Sequence, residues 1–326
     1  MTVVAIILSV GAALALNYSM YMQKKAVGTL PQVQAKLTWD IVKAFFTNRY
    51  WLQSISVLAI GGGLYVVAIG MAPVSIVQPI VASGVALLAY LAIKNLGEKP
   101  RRIDLYAIGL TILGVILIGV SMAEGIPEKV KHDAVPLWIL TGVMVFLAVA
   151  IPLLLRGGSS NREAAGLGIS VGLLYGIGAV FARLLIVDWG NQWASKGVLV
   201  VVSSIFGLVW LAVMVPGFIE QQAALQRGMA IIVVPILAGL SQLVPIFVGT
   251  VALNEAFPKS GALVAVRILA FLLILVGTII LSKRAEEAGP STESEDAGQD
   301  EVEQKAPAFA IPGTAEPDPA TGESTT

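Results

Sequence analysis

Residues 52–93 read LQSISVLAIGGGLYVVAIGMAPVSIVQPIVASGVALLAYLAI and contain no charged side chain. A transmembrane helix needs about 20 mostly apolar residues to cross the hydrocarbon core of a bilayer. This stretch is therefore long enough to cross twice. We expect two membrane-spanning helices here, over 52–71 and 73–94.

The composition of the whole chain points to the same class of protein. Of its 326 residues, 56% are hydrophobic and 13% are charged, and the mean hydropathy is +0.84. Soluble domains carry about 25% charged residues, so most of this chain is too apolar to face water. We predict an all-α, polytopic transmembrane helical bundle of about nine helices. The predicted spans are 3–22, 52–71, 73–94, 103–122, 136–155, 166–186, 197–217, 229–252 and 261–282.

The segment 30–48 does not fit this pattern, because it is too charged to span a bilayer cheaply. Its apolar residues recur at every fourth position, as Val33, Leu37, Ile41 and Phe45. This spacing is typical of an amphipathic helix that lies in the membrane interface. If the segment did span, the chain would have ten helices and its N-terminus would lie inside.

The charge distribution predicts the orientation and the domain boundary. Lys and Arg accumulate after the odd-numbered helices, with 15 on that side against four on the other. The positive-inside rule then places the N-terminus outside and the C-terminus in the cytoplasm, for a protein of the plasma (inner) membrane. Residues 1–284 form the predicted membrane domain. Residues 285–326 carry 11 acidic side chains and one lysine, and we expect a disordered cytoplasmic tail.

The scarcity of reactive side chains argues against an enzyme. The chain has no cysteine, and His132 is its single histidine. Thiolate chemistry and multi-histidine metal sites are therefore excluded. We expect no cofactor and no nucleic-acid partner. The expected partners are the lipid bilayer and a small-molecule or ion cargo, while a homo-oligomer and a metal site are left open.

The sequence repeats itself weakly. SVGAALALNYSMYMQKK (9–25) is similar to SVGLLYGIGAVFARLL (170–185), and MAPVSIVQPIVASG (71–84) is similar to RGMAIIVVPILAGL (227–240). On a count of nine helices, the paired helices cross the membrane in opposite directions. This is an inverted repeat, which is typical of transporters with a central site. Chance similarity between two apolar segments is the alternative.

The repeat places Pro79 opposite Pro235. The halves are about 1–123 and 165–284, joined by a linking helix at about 136–155. A proline inside a helix removes a backbone hydrogen bond, and broken helices at matching positions indicate a binding site. A packed kink without a ligand is the other interpretation.

Neutral polar side chains and one arginine complete the candidate binding site. Arg183 lies inside a predicted span, where it would either bind an anionic group or extend to the interface. The candidates for contact with cargo are Asn17, Gln78, Pro79, Ser83, Arg183, Pro235, Ser241 and Gln242.

Carboxylates are expected only at the ends of helices. Glu98, Glu220 and Glu255 all fall at or beyond the predicted boundaries, and no Asp or Glu falls in the middle of a span. Mg²⁺ is normally bound through one or two carboxylates with several waters retained. This pattern therefore weighs against a magnesium site at mid-membrane.

Four passages resemble the drug/metabolite transporter (EamA-like) superfamily, and within it the NIPA-like branch. They are YMQKKAVG (21–28), the run from Asn48 to Ile80, YGIGAVFARLL (175–185), and the spacing from proline to carboxylate over 235–255. The likeness covers roughly 1–284. It implies an all-helical fold with inverted repeats and a transport function, and the NIPA-like branch is associated with magnesium.

Three functions follow from these observations. The first is a secondary transporter that moves a small polar or anionic organic solute by rocking around Pro79 and Pro235. The second is a NIPA-like Mg²⁺ transporter. The third is a non-transporting membrane scaffold whose acidic tail recruits partners.

Overall fold

The structure of the chain is a computed structural model. It describes residues 2–33, 38–71, 74–121, 133–253 and 258–287. The chain divides into two units, Met1–Pro290 and Ser291–Thr326. All of the described helices belong to the first unit, and the predicted disordered tail lies outside the described residues after residue 287.

The described ranges are helical and contain no strand. Their α-helices are α1 (Thr2–Val27), α2 (Trp39–Thr47), α3 (Arg49–Met71), α4 (Val74–Asn95), α5 (Arg102–Ser121), α6 (Ala134–Leu155), α7 (Ser160–Lys196), α8 (Val200–Ser203), α9 (Ile205–Arg227), α10 (Ala230–Ala252) and α11 (Gly261–Glu287). Eight of these helices are long and apolar enough to cross a membrane, namely α1, α3, α5, α6, α7, α9, α10 and α11. Helix α4 has 22 residues and corresponds to the predicted span 73–94. The predicted class, a polytopic helical bundle, is confirmed.

The segment 30–48 contains a helix that is too short to span. Helix α2 has nine residues, or about 14 Å at 1.5 Å per residue, against a hydrocarbon core of about 30 Å. Ile41 and Phe45 are its buried residues, and the ring of Phe45 meets that of Trp51 edge-on at 5.4 Å. Val33 is buried but precedes the helix, and Leu37 lies outside the described residues.

The predicted span 197–217 corresponds to a spanning helix, but its bounds are wrong, because the helix runs over Ile205–Arg227. The first part of the predicted span is occupied by a short turn (Gly197–Leu199) and the four-residue α8. The helical conformation is interrupted at Ser204, before α9 begins. The Ser204 side chain accepts a hydrogen bond from the Phe206 N–H at the start of α9. Helix α9 then continues to Arg227, ten residues beyond the predicted end, because the polar residues of its second half pack inside the bundle.

The packing of the helices follows the order of the sequence repeat. Helix α1 packs on α3 and α4, and α7 packs on α9 and α10 in the same order; α4 also packs on α5, and α10 on α11. Pro79 and Pro235 are each the sixth residue of their helices, α4 and α10. Helices α5 and α11 pack against each other, so the last helix of each repeat contacts its counterpart.

Candidate functional site

A cavity of about 220 Å³ lies among α1, α3, α4, α5 and α10. We call it the central cavity. Most of its lining is apolar, but one wall residue is Pro235 and four others carry neutral polar groups. These polar residues are Asn17, Thr111, Ser241 and Gln242. Among the residues that the structure describes, none of those lining the cavity is ionisable, so a charge on a ligand there meets dipoles rather than an opposite charge.

The structure brings four of the eight predicted site residues together. Asn17, Pro235, Ser241 and Gln242 all line the central cavity. Asn17 donates from Nδ2 to the Ala13 carbonyl at 2.9 Å, and Ser241 donates to its own helix. The Asn17 Oδ1 and the Ser241 Oγ keep lone pairs that can accept from a ligand. The side-chain amide of Gln242 has no hydrogen-bond partner among the described residues, so both its oxygen and its nitrogen can bind a ligand.

The other four predicted residues do not line this cavity. Ser83 is exposed on α4 and donates to the Ile80 carbonyl at 2.6 Å. Arg183 is half-buried on α7 and lines neither of the cavities described here. Gln78 and Pro79 lie in α4, but the structure does not describe their side chains. Ser83 and Arg183 are therefore not part of the site that we propose.

A buried cluster of amides joins α1 to α9 next to the central cavity. We call Gln23, Gln221 and Gln222 the glutamine cluster. The Gln23 Oε1 accepts from the Gln221 Nε2 at 3.1 Å and from the Gln222 Nε2 at 2.9 Å. Trp51 donates to the Gln222 Oε1 at 3.2 Å, and Tyr175 donates to the Gln221 Oε1 at 2.8 Å. The cluster therefore links four helices, α1, α3, α7 and α9.

The junction between α9 and α10 is held on the side predicted to be cytoplasmic. The Lys24 Nζ donates to the carbonyls of Leu225 at 2.8 Å and Gly228 at 2.9 Å. The buried Glu98 carboxylate accepts from the backbone N–H groups of Ala230 at 2.7 Å and Ile231 at 2.9 Å. Together these contacts satisfy backbone carbonyls at the end of α9 and backbone N–H groups at the start of α10. They tie this junction to Lys24 of α1 and to Glu98.

We expect Lys24→Met to destabilise the protein, because it removes charge-assisted hydrogen bonds to two carbonyls that helix α9 leaves unsatisfied. Hydrogen bonds to charged groups contribute about 1.5–3 kcal/mol. Lys25 is the matched control, since it is exposed and lies 5.8 Å from the Tyr50 ring centre, and Lys25→Met should cost less than about 1 kcal/mol. Thermal unfolding of both variants in detergent tests this difference, and equal losses would contradict it.

A second cavity of about 610 Å³ lies among α6, α7 and α9, and we call it the lateral cavity. Four charged residues line it, namely Arg156, Glu163, Glu220 and Arg227. The predicted span 197–217 ends before Glu220, whereas the structure places Glu220 inside α9. A prediction that treated 205–227 as one continuous span, despite its glutamines, would have placed Glu220 inside a helix.

The fold defines a multi-pass α-helical membrane protein, and its central cavity is mostly apolar with four neutral polar side chains in the wall. The chain is similar to a protein of Arabidopsis thaliana described as "Probable magnesium transporter NIPA9". The two are 26% identical over 244 residues, which cover 70% of this chain and 67% of that protein. No protein-family model matches the sequence, and no solved structure matches it.

Proposed function

We propose that the chain is a NIPA-like transporter that carries Mg²⁺ across the membrane through the central cavity. The observation that carries this proposal is the similarity to the plant protein described as a probable magnesium transporter. The convergence of Asn17, Ser241 and Gln242 on one cavity supports it. The similarity favours magnesium over the organic solute that the sequence pattern put first.

The chemistry of the central cavity also weighs against an anionic cargo. An anionic substrate needs a cationic or strongly donating group to replace its hydration. Arg183, the residue predicted to bind such a group, does not line the cavity, and none of the described lining residues is cationic. The neutral amides and hydroxyls can turn their oxygens toward a cation or its water shell, but they offer no opposite charge to an anion.

The cavity has room for a magnesium ion that keeps water. Mg²⁺ dehydrates reluctantly and usually keeps several waters. The central cavity, at about 220 Å³, is large enough to hold more than one water molecule. In this proposal the side-chain oxygens of Asn17, Ser241 and Gln242 accept hydrogen bonds from the water shell rather than binding the metal directly.

Transport by alternating access follows from the repeat. The two halves, about 1–123 and 165–284, would rock around the central cavity, with Pro79 and Pro235 as matching weak points in α4 and α10. Release on the cytoplasmic side would require the α9–α10 junction to leave Lys24. The proposed orientation has the N-terminus outside and the C-terminus in the cytoplasm, in the plasma (inner) membrane.

Uptake of Mg²⁺ into proteoliposomes, read by an internal dye, tests the proposal. We expect saturable uptake by the unsubstituted protein and a loss of roughly 10-fold or more for Gln242→Leu, because a hydrogen bond to a charged group contributes about 1.5–3 kcal/mol. Gln53→Leu, the same change at an exposed position on α3, should leave uptake intact. Folded protein that takes up no Mg²⁺ would return the organic solute to first place.

A further inference from the structure

Glu220 is a carboxylate inside a membrane helix. It precedes the end of α9 by seven residues, or about 10 Å along the helix axis. Its side chain is half-buried, and its Oε2 accepts a hydrogen bond from the Ser170 hydroxyl of α7 at 2.5 Å. Ionisable groups within a membrane-spanning helix are costly where they lie in hydrocarbon, and such groups are usually functional.

The other charges of the lateral cavity do not neutralise Glu220. Glu163 accepts from the Gly157 N–H at 2.9 Å and pairs with Arg227 at 3.5 Å. Arg156 is exposed. Among the described residues Glu220 has no ion-pair partner within 4 Å, so a mobile cation in the cavity would meet an unpaired carboxylate.

The lateral cavity is connected to the central cavity through neighbouring side chains. Gln221 follows Glu220 in α9, and its Nε2 lies 3.5 Å from the Sδ of Met20. Met20 is a wall residue of the central cavity, whereas Glu220 is a wall residue of the lateral cavity. Gln221, a member of the glutamine cluster, is therefore next in sequence to a wall residue of the lateral cavity and in contact with a wall residue of the central cavity.

We propose that Glu220 is a second cation-binding residue, which receives hydrated Mg²⁺ in the lateral cavity after the ion leaves the central cavity past the glutamine cluster. This inference rests on the proposed function. The Ser170 hydroxyl orients the carboxylate, and the oxygen that faces the cavity accepts hydrogen bonds from the water shell or binds the ion directly. A single carboxylate with retained waters is an ordinary way for a protein to hold Mg²⁺.

The test compares Glu220→Gln with the unsubstituted protein in the same uptake assay, over a range of Mg²⁺ concentrations. Glutamine keeps the shape of the side chain and can still accept from Ser170, so the change isolates the charge. We expect the KM for Mg²⁺ to rise at least ~10-fold, which is about 1.4 kcal/mol, with Glu220→Asp recovering part of the loss. Glu163→Gln should raise the KM much less, because Arg227 already neutralises Glu163.

Two further measurements separate the possible outcomes. Thermal unfolding and gel filtration in detergent show whether Glu220→Gln is folded, and calorimetric titration with Mg²⁺ measures binding without transport. Uptake by the unsubstituted protein together with an unchanged KM and unchanged binding in Glu220→Gln would overturn this inference and leave the proposed function standing. Absence of uptake by the folded, unsubstituted protein would overturn both.

Discussion

Gln23→Leu is expected to lower the free energy of unfolding by about 2–4 kcal/mol, because a buried polar group left without its partner costs about 1–3 kcal/mol. Gln23 is fully buried, and its Oε1 accepts from both Gln221 and Gln222. Leucine has nearly the same volume but no acceptor, so the substitution strands two amides at once. Inside a bilayer such bonds contribute less, on average about 0.6 kcal/mol each, so we expect a loss nearer the lower end of this range than the upper end.

The measurement is thermal or denaturant unfolding of the purified variant in detergent. Gln53→Leu is the control, because Gln53 is exposed on α3, and it should change stability by less than about 0.5 kcal/mol. Comparable stability of Gln23→Leu and Gln53→Leu would show that the glutamine cluster does not hold α1 to α9. In the mechanism proposed above, Gln23→Leu should also change the rate of Mg²⁺ uptake, because the ion passes the glutamine cluster between the two cavities.

Gly84→Ala is expected to separate α1 from α4 and to deform the central cavity. A Cβ atom on Gly84 would lie 2.7 Å from the Ala13 carbonyl oxygen and 2.2 Å from the Asn17 Nδ2. The amide of Asn17 can rotate away, but the backbone oxygen cannot move without moving the helix. Overpacking of this kind costs about 1–3 kcal/mol, and Mg²⁺ uptake should fall with stability because Asn17 lines the cavity.

Gly63→Ala is the matched control on α3. A Cβ atom there meets no other atom within 4 Å, and alanine is a better helix former than glycine by about 1 kcal/mol. The control should therefore be neutral or slightly more stable, whereas Gly84→Ala should be less stable. If both changes raised stability, the close approach of α1 and α4 would not be required by the native state.

The helical class could be predicted from the sequence because each residue contributes its own free energy of transfer into lipid, and these contributions add along the chain. Asn17, Ser241 and Gln242 could be selected for a similar reason, as polar residues near the middle of apolar runs. Ser83 and Arg183 met the same criterion, but neither residue lines the central cavity. The direction in which a side chain points depends on how helices pack, and helix periodicity does not give this for a helix that is apolar all round.

Helix α9 shows where local reasoning fails. Its second half contains Glu220, Gln221, Gln222 and Gln226, which lower its apparent hydropathy and led to the wrong span 197–217. In the folded protein Gln221 and Gln222 are buried and are satisfied by Gln23, which is 198 and 199 residues away in sequence. Long-range partners offset the desolvation cost of these groups, and a hydropathy window contains no information about them.

The sequence by itself determined that this protein is a bundle of membrane helices, and it predicted two repeats with prolines at matching positions. Chain length, apolar runs and the placement of charge are sufficient for that, since each acts within one helix. The tertiary structure decided which polar groups share a cavity, that Glu220 lies within a helix, and that the glutamine cluster joins α1 to α9. Those features depend on hydrogen bonds and close contacts between helices that are far apart in the chain, and only packing brings them together.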